Sequence, residues 1–456
     1  MAGDAFQASL GAPLAGVLAR AWFDRAALGS LVRVYLPVSR LWAAAGAAVG
    51  DLDRFVAEAP IAPPRRPQAD LIRLALARHA ALATAARLAT AGWQDAFFGP
   101  ARPSQAVLAA QERARRLANR RWMGQRLAFL PFLRSLRGSA LRFEVAPPRA
   151  AEALWSGVLD DPASGCAVAA RQQAPERSAV LRAESARISW VRFPSPAPWM
   201  GDTATARVTE PVGRAALTVI AGDGLFAETG HWGVSVSQAA RLAARGLRIV
   251  ELDSPWHGSR MVPGRYGGEP FLATAPVGPL ALLTAQARET AVLVRWCRAL
   301  DGAPVALTGV SMGSFVAQLV ASHAGAWPPD CRPDAVMLVV HHGRLADLML
   351  GSRLSTGLGV HRALADAGWT DAAIARWGAA GSPSAEPGLA PERIVSVLGT
   401  ADDVTPFAGG DDLARRWALP KANRFVLAGG HFSTALALAV ERRPFERLCA
   451  IALGRP

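Results

Sequence analysis

Two textures of apolar and polar positions divide the chain. Over 10–58 and 68–136, Leu, Ala, Val, Phe and Trp recur at steps of three and four with Arg between them, a spacing that predicts helices with one apolar stripe. The segment Ile61-Ala-Pro-Pro-Arg-Arg-Pro67 interrupts the pattern and predicts a loop. From about residue 185, short apolar runs alternate with helical stretches. The runs Ala216–Ala221, Leu247–Leu252, Val305–Thr308, Ala335–Val340, Ile394–Leu398 and Arg424–Leu427 predict strands. The stretches 235–245, 283–300, 312–324 and 410–417 predict helices. Such alternation gives an α/β fold, a mostly parallel sheet covered on both faces. The interval 344–392 is too long for a simple crossover: it holds two helical patterns, 344–350 and 361–378, then a Gly/Ser/Pro stretch over 378–391. It reads as a lid. The expected organisation is a helical region over 1–150, a connecting segment over 151–184 and an α/β domain over 185–456.

Composition bounds the class. Of 456 residues, 51% are apolar and 19% charged, which fits a folded chain and excludes a disordered one. The 33 Pro and 42 Gly punctuate every long uncharged stretch, 302–329 and 270–287 included, so no membrane span is expected. The start, Met1-Ala-Gly-Asp-Ala-Phe6, lacks a basic segment before an apolar core and is not expected to be a signal peptide. Four scattered cysteines (Cys166, Cys297, Cys331, Cys449), with no paired spacing, fit reduced thiols in a cytoplasmic protein.

The net charge of +14 is concentrated at one end: residues 1–150 carry 21 Arg against 9 acidic residues, and the remainder is nearly balanced. Such a region is drawn to anionic surfaces by an attraction that salt weakens. Three readings follow. The plainest is a helical appendage that packs its apolar stripe on the α/β body. The second is a peripheral element on an anionic membrane, for which Arg113–Arg142 is the best stretch because Trp122, Phe129, Leu130 and Phe132 interleave with nine Arg. Nucleic acid is the third and is not expected, since no recognition motif accompanies the charge.

The chemistry gathers around Gly309-Val-Ser311-Met-Gly313. Chance alone yields about 0.2 Gly-x-Ser-x-Gly matches at this composition, so the flanking elements must carry the argument. The motif follows an apolar run and opens a helical pattern, the strand–turn–helix context in which a strained serine presents its hydroxyl. The helix would aim its first N–H groups at developing negative charge. Later, Ile394–Leu398 ends in Gly399-Thr-Ala-Asp402-Asp403-Val-Thr-Pro406, and Arg424–Leu427 ends in Ala428-Gly-Gly-His431-Phe432. A serine, a carboxylate and a histidine at three successive strand ends form the set nucleophilic catalysis needs, with Ser311 as nucleophile, His431 as base and Asp402 as the carboxylate that orients it.

The stretch 215–435 resembles the α/β-hydrolase superfamily, in which a Gly-x-x-Asp-x-x-x-Pro segment supplies the acid and a Gly-His segment the base. The resemblance implies Asp402, three residues after Gly399, over Asp403. It also implies an oxyanion hole made by the Met312 amide and an amide of the turn Ala221-Gly-Asp223-Gly224, either Asp223 or Gly224. The superfamily pattern has a histidine at the first position of that turn, where this chain has Ala221. That turn, Phe193-Pro-Ser-Pro196 and Ser254-Pro-Trp-His-Gly-Ser-Arg260 are similar to a subgroup, the α/β-hydrolase domain-containing protein 18-like proteins.

Other polar residues are weaker candidates. His257 and Arg260 lie on a loop at the sheet's C-terminal side; Arg260 offers a planar fork for a substrate carboxylate or phosphate, or for backbone carbonyls of its own loop. His231 and Trp232 follow the oxyanion turn and line the pocket or pack beneath it. Adjacent His341 and His342 point to opposite faces of a strand, so neither metal nor another cofactor is expected.

The expected function is a serine hydrolase acting on a small-molecule or lipid-like carboxylic ester or thioester. Acyl transfer and amide hydrolysis by the same three residues are alternatives. A non-catalytic, membrane-associated binding protein that keeps the fold is an alternative of another class.

Overall fold

In the computed structural model of this chain, residues 21–59, 61–227 and 234–455 are described. His231 and Trp232 lie outside them. The sheet has ten strands: β1 Glu176–Arg177, β2 Leu181–Arg182, β3 Arg187–Pro194, β4 Thr203–Glu210, β5 Leu217–Gly222, β6 Leu247–Leu252, β7 Val305–Val310, β8 Ala335–Val339, β9 Ile394–Gly399 and β10 Arg424–Leu427. Their spatial order is β1-β3-β4-β6-β5-β7-β8-β9-β10, with β2 also on β3. From β3 to β10 only β4 runs against its neighbours. This is the α/β-hydrolase sheet, eight strands in the order 1-2-4-3-5-6-7-8 with the second antiparallel.

The six expected strands are present within a residue or two at each end. The antiparallel edge pair β3 and β4 escaped the sequence reading. Thr and Arg fill alternate positions of TATARVTE, and Arg187, Ser189 and Arg192 break up RISWVRFP, so neither reads as an apolar run although Val191, Ala204, Ala206 and Val208 are buried. The central strands β8 and β9 are buried at every position and read as plain apolar runs.

Both faces are covered. Ile249, Met337, Val339, Val395 and Val397 pack on Leu448 and Ala452 of the last helix, Arg443–Ala452. Val250, Ile220 and Leu338 join the opposite core, with the long helix Val277–Asp301 and the helix Met312–His323 that follows the serine.

The N-terminal region shares that second core. Its helices are Ala21–Ser30, Leu36–Ala48, Leu52–Glu58, Arg66–Phe98 and Gln105–Gly124, with a 3-10 segment over Gln125–Ser135. The sequence reading joined the last three into one pattern, whereas Gly99, Pro100 and Pro103 break the helix between Phe98 and Gln105. Leu36, Leu41, Trp42, Phe55, Phe129 and Phe132 are buried in the same cluster as the sheet. Trp122 is half-buried, its ring 4.8 Å from that of Trp42. Of the aromatics that suggested membrane insertion, Phe129 and Phe132 are therefore interior residues, and Trp122 packs against another, Trp42. No helix among the described residues is long and apolar enough to cross a membrane.

The interval expected to be a lid forms four helices, Leu345–Gly351, Arg353–Leu358, Val360–Asp366 and Asp371–Ala380. Trp369 and Trp377 from it are buried in the shared core, so displacing it would expose both.

Candidate active site

Ser311 sits between β7 and the helix Met312–His323 with φ 55° and ψ −113°, the strained turn its motif predicts. Glycine is required beside it for space. A Cβ on Gly313 would lie 2.5 Å from the Gly222 carbonyl oxygen, and one on Gly309 would strike the Gly313 backbone. Further bonds fix the turn: the Ser311 amide donates to Val339 O (3.0 Å), and Ser314 Oγ donates toward Gly309 O (2.6 Å) and Val339 O (2.7 Å).

His431 opens the short helix after β10 and brings its imidazole between Ser311 and Asp402. Nε2 is 3.0 Å from Ser311 Oγ and Nδ1 is 2.9 Å from Asp402 Oδ2. Asp402 follows β9 and is buried. Its Oδ1 accepts from the Val404 and Thr405 amides (2.9 and 2.8 Å), and its Oδ2 from Thr405 Oγ1 (2.8 Å). Burial works against the charged carboxylate, but His431 and the Thr405 donors outweigh it and hold the carboxyl below its ordinary range. Asp403 faces outward and pairs with Arg353 at 2.9 Å.

Sequence reasoning passed over Thr405. Its hydroxyl touches Asp402, Val340 O (3.0 Å) and His431 Nδ1 (3.1 Å). The available signal was a hydroxyl residue three positions after an aspartate at a strand end, the spacing of a side chain that caps its own turn.

The turn Ala221-Gly-Asp-Gly224, the candidate oxyanion turn, adjoins the serine. Asp223 O accepts from the Gly313 amide (3.0 Å), and Gly224 lies so near that a Cβ on it would stand 3.5 Å from Ser311 Cβ. Met312, the first residue of the following helix, is buried. Four of the six described non-glycine residues with positive φ cluster here: Phe226, Trp256, Ser311 and Val340. Such strain persists only where the surroundings over-determine it.

His257 and Arg260 take structural roles, a correction to their expected place among substrate-binding residues. His257 is buried; Nδ1 meets Pro255 O at 2.9 Å, and Nε2 accepts from the Phe226 amide at 3.3 Å, so the ring braces the oxyanion turn. Arg260 is buried between Asp202 (both oxygens at 2.8 Å) and Glu289 (both at 2.8 Å), with Asp253 O at 3.1 Å. Its fork is filled and has no donor left for a substrate anion. His341 and His342 do point apart: His341 Nε2 meets Ser396 Oγ (2.8 Å), and His342 Nδ1 meets the Arg344 backbone. No group of three metal-ligating side chains occurs among the described residues.

The sheet order and the serine turn at the end of its central strand give the chain the α/β-hydrolase fold. The family model "Alpha/beta hydrolase domain containing 18" matches residues 249–330, the span that carries β6, the loop 254–260 and the serine turn. No curated protein matches the chain by sequence. Among solved structures, acetyl xylan esterase 1 from a Thermoanaerobacterium species is similar at 16% identity, covering 65% of this chain and 96% of that one, with a TM-score of 0.44. A cold-adapted esterase from an Arctic intertidal metagenomic library is 15% identical over 59% of this chain and 96% of that chain, with a TM-score of 0.39. A lipase in an open form is 17% identical over 58% and 99%, also at 0.39.

Proposed function

We propose that this protein is a serine hydrolase that cleaves carboxylic ester or thioester bonds through an acyl-enzyme. The reading rests on one observation: Ser311 Oγ, the two ring nitrogens of His431 and Asp402 Oδ2 form a continuous hydrogen-bonded line with steps of 3.0 and 2.9 Å. In that arrangement Ser311 Oγ attacks the substrate carbonyl carbon while His431 Nε2 takes its proton. Asp402 holds the proton on Nδ1 and stabilises the imidazolium. The carbonyl oxygen becomes an oxyanion facing the Met312 amide and the Asp223–Gly224 turn. Collapse breaks the bond to the leaving alcohol or thiol, which departs with the proton from Nε2. Water, deprotonated by His431, then attacks the acyl-serine, releases the acid and restores Ser311.

A fluorophosphonate probe should label the protein at Ser311, and a panel of p-nitrophenyl esters of increasing chain length should report acyl preference. Labelling that persists in Ser311→Ala would remove the assignment. Partition toward acyl transfer on adding alcohols or amines tests the transferase alternative.

A second reading, attachment to anionic membranes, has a different basis from the one the sequence suggested. Leu71, Leu74 and Leu88 are 58%, 69% and 69% exposed on the helix Arg66–Phe98, with Arg78 and Arg87 exposed on the same helix. A hydrophobic ester at a lipid surface is the substrate this face would favour.

A further inference from the structure

The serine, the histidine and the acid all come from the α/β portion of the chain, yet a second carboxylate reaches this site from the opposite end of the sequence. Asp24, on the helix Ala21–Ser30, is buried at 4% exposure against the start of the helix His431–Ala437. Its Oδ1 accepts from the Phe432 amide (2.7 Å) and the Ser433 amide (3.0 Å). Its Oδ2 accepts from the Gly430 amide (3.3 Å) and from Ser433 Oγ (2.5 Å). The Gly430 amide also donates to Ser433 Oγ (2.8 Å), which closes the ring of contacts. A Cβ on Gly430 would lie 2.5 Å from Asp24 Cγ, so this glycine is what admits the carboxylate.

We propose that Asp24 is a positioning residue for His431, and that the N-terminal helix is thereby part of the catalytic apparatus. The residues on either side of His431, Gly430 and Phe432, both have their amides held by the one carboxylate. A histidine at the first position of a helix has no intrahelical acceptor for its own amide or for those beside it. Here the clamp supplies acceptors for the neighbouring amides, while Asp402 orients the ring itself. An error of about 1 Å in such a group costs on the order of 10² in rate. Charge-assisted bonds to backbone amides are strong enough to hold this geometry.

A purely structural cap would stabilise the fold and leave turnover alone, and the test separates the two. Asp24→Ala should lower kcat about 10²-fold with KM within about twofold, in protein whose circular dichroism and cooperative melting show it folded. Asp24→Asn retains one acceptor oxygen and should fall between this variant and wild type. Ser433→Ala, which keeps the carboxylate and removes one of its donors, should lose least. Asp51 is the control, since its side chain caps another N-terminal helix by accepting from the Arg54 amide (2.8 Å) far along the chain from His431. Asp51→Ala should lower the melting temperature and leave kcat unchanged. If Asp24→Ala does not fold, Asp24→Asn and Ser433→Ala decide. The proposal is overturned if the folded Asp24 variants keep wild-type kcat, or if their activity falls only in step with their folded fraction. It rests on reading Ser311 and His431 as the reacting pair. Failure of probe labelling at Ser311 would remove that reading, whereas labelling at the wild-type rate in Asp24→Ala would remove this inference alone.

Discussion

Arg40 Nη1 stands 3.0 Å from both carboxylate oxygens of Glu269, with the two side chains 1% and 0% exposed. Arg40 comes from the N-terminal helix Leu36–Ala48, and Glu269 from the loop region between β6 and the long helix. Arg265, the Arg142 amide and the Tyr266 amide also converge on Glu269, and Tyr266 donates its hydroxyl proton to Ala140 O. The basic region is thus joined to the sheet by a buried polar network as well as by shared apolar core. A buried pair is weak evidence for net stability, but losing one partner strands the other in a medium that solvates charge poorly.

Arg40→Met should therefore destabilise the protein by about 3 kcal/mol, the lower end of the range for breaking a buried pair, because Arg265 still faces Glu269. Urea unfolding should remain a single transition, since N-terminal and sheet residues lie in one core. A separate early transition for the N-terminal helices would show that they fold as an independent appendage.

Asp402→Asn should cut kcat about 10³- to 10⁴-fold by allowing the wrong His431 tautomer. Asp403→Asn should cost no more than a few-fold, since its side chain pairs with exposed Arg353. Thr405→Val removes a donor to Asp402 and should cost about tenfold, within the range for one catalytic hydrogen bond. Steady-state kinetics on a p-nitrophenyl ester measures all three. A larger loss in Asp403→Asn than in Asp402→Asn would reverse the assignment of the acid.

Burial pushes the His341 imidazole down to about 3, and also lowers His79, His323 and His342. A group held neutral in the folded state and free to take a proton in the unfolded chain contributes stability that is complete above its unfolded value of about 6.5. That contribution is lost as pH falls from there toward the folded value. Stability should drop by up to about 1.4 kcal/mol per pH unit for each such group. Urea midpoints between pH 7 and pH 4.5 should show a shallower decline in His341→Gln than in wild type. An unchanged slope would mean that His341 takes up its proton without unfolding.

Co-sedimentation with anionic vesicles should be strong at low salt and weaken as salt rises. Replacing Leu71 and Leu74 together by Gln should abolish the salt-resistant part, because those side chains face water and can enter an interface. Wild-type binding by the double variant, or none by the unaltered protein, would leave the membrane reading without support. Phe129 and Phe132 are interior, so their replacement should report on folding and not on binding.

Much of the sheet was legible because its central strands are buried on both faces. Ile394–Gly399 and Ala335–Val339 have no polar alternation to confuse, and they are bounded by turn residues. Ser311, Asp402 and His431 were legible for a related reason. Each lies within about four residues of the end of a strand, and the order of strand ends along the chain survives in the sequence. The serine's strain was also implied locally, because only glycines fit at 309 and 313.

What the sequence did not determine were the meetings between distant segments. Arg260 carries the same side chain whether it binds a substrate or closes on Asp202 and Glu289, and only the packing of three elements fills its fork. Trp122, Phe129 and Phe132 form the same amphipathic pattern whether the apolar stripe faces lipid or a protein core. The stripe shows that it will be covered and not by what. Asp24 lies more than 400 residues from the amides it holds. A helical aspartate has no local signature of a distant helix start. Local propensity and spacing fix elements and the residues at their ends, whereas hydrogen-bond partners across the chain depend on how the elements pack. For this protein the sequence alone singled out Ser311, Asp402 and His431 as a candidate set, and the tertiary structure decided that they meet and what holds them in place.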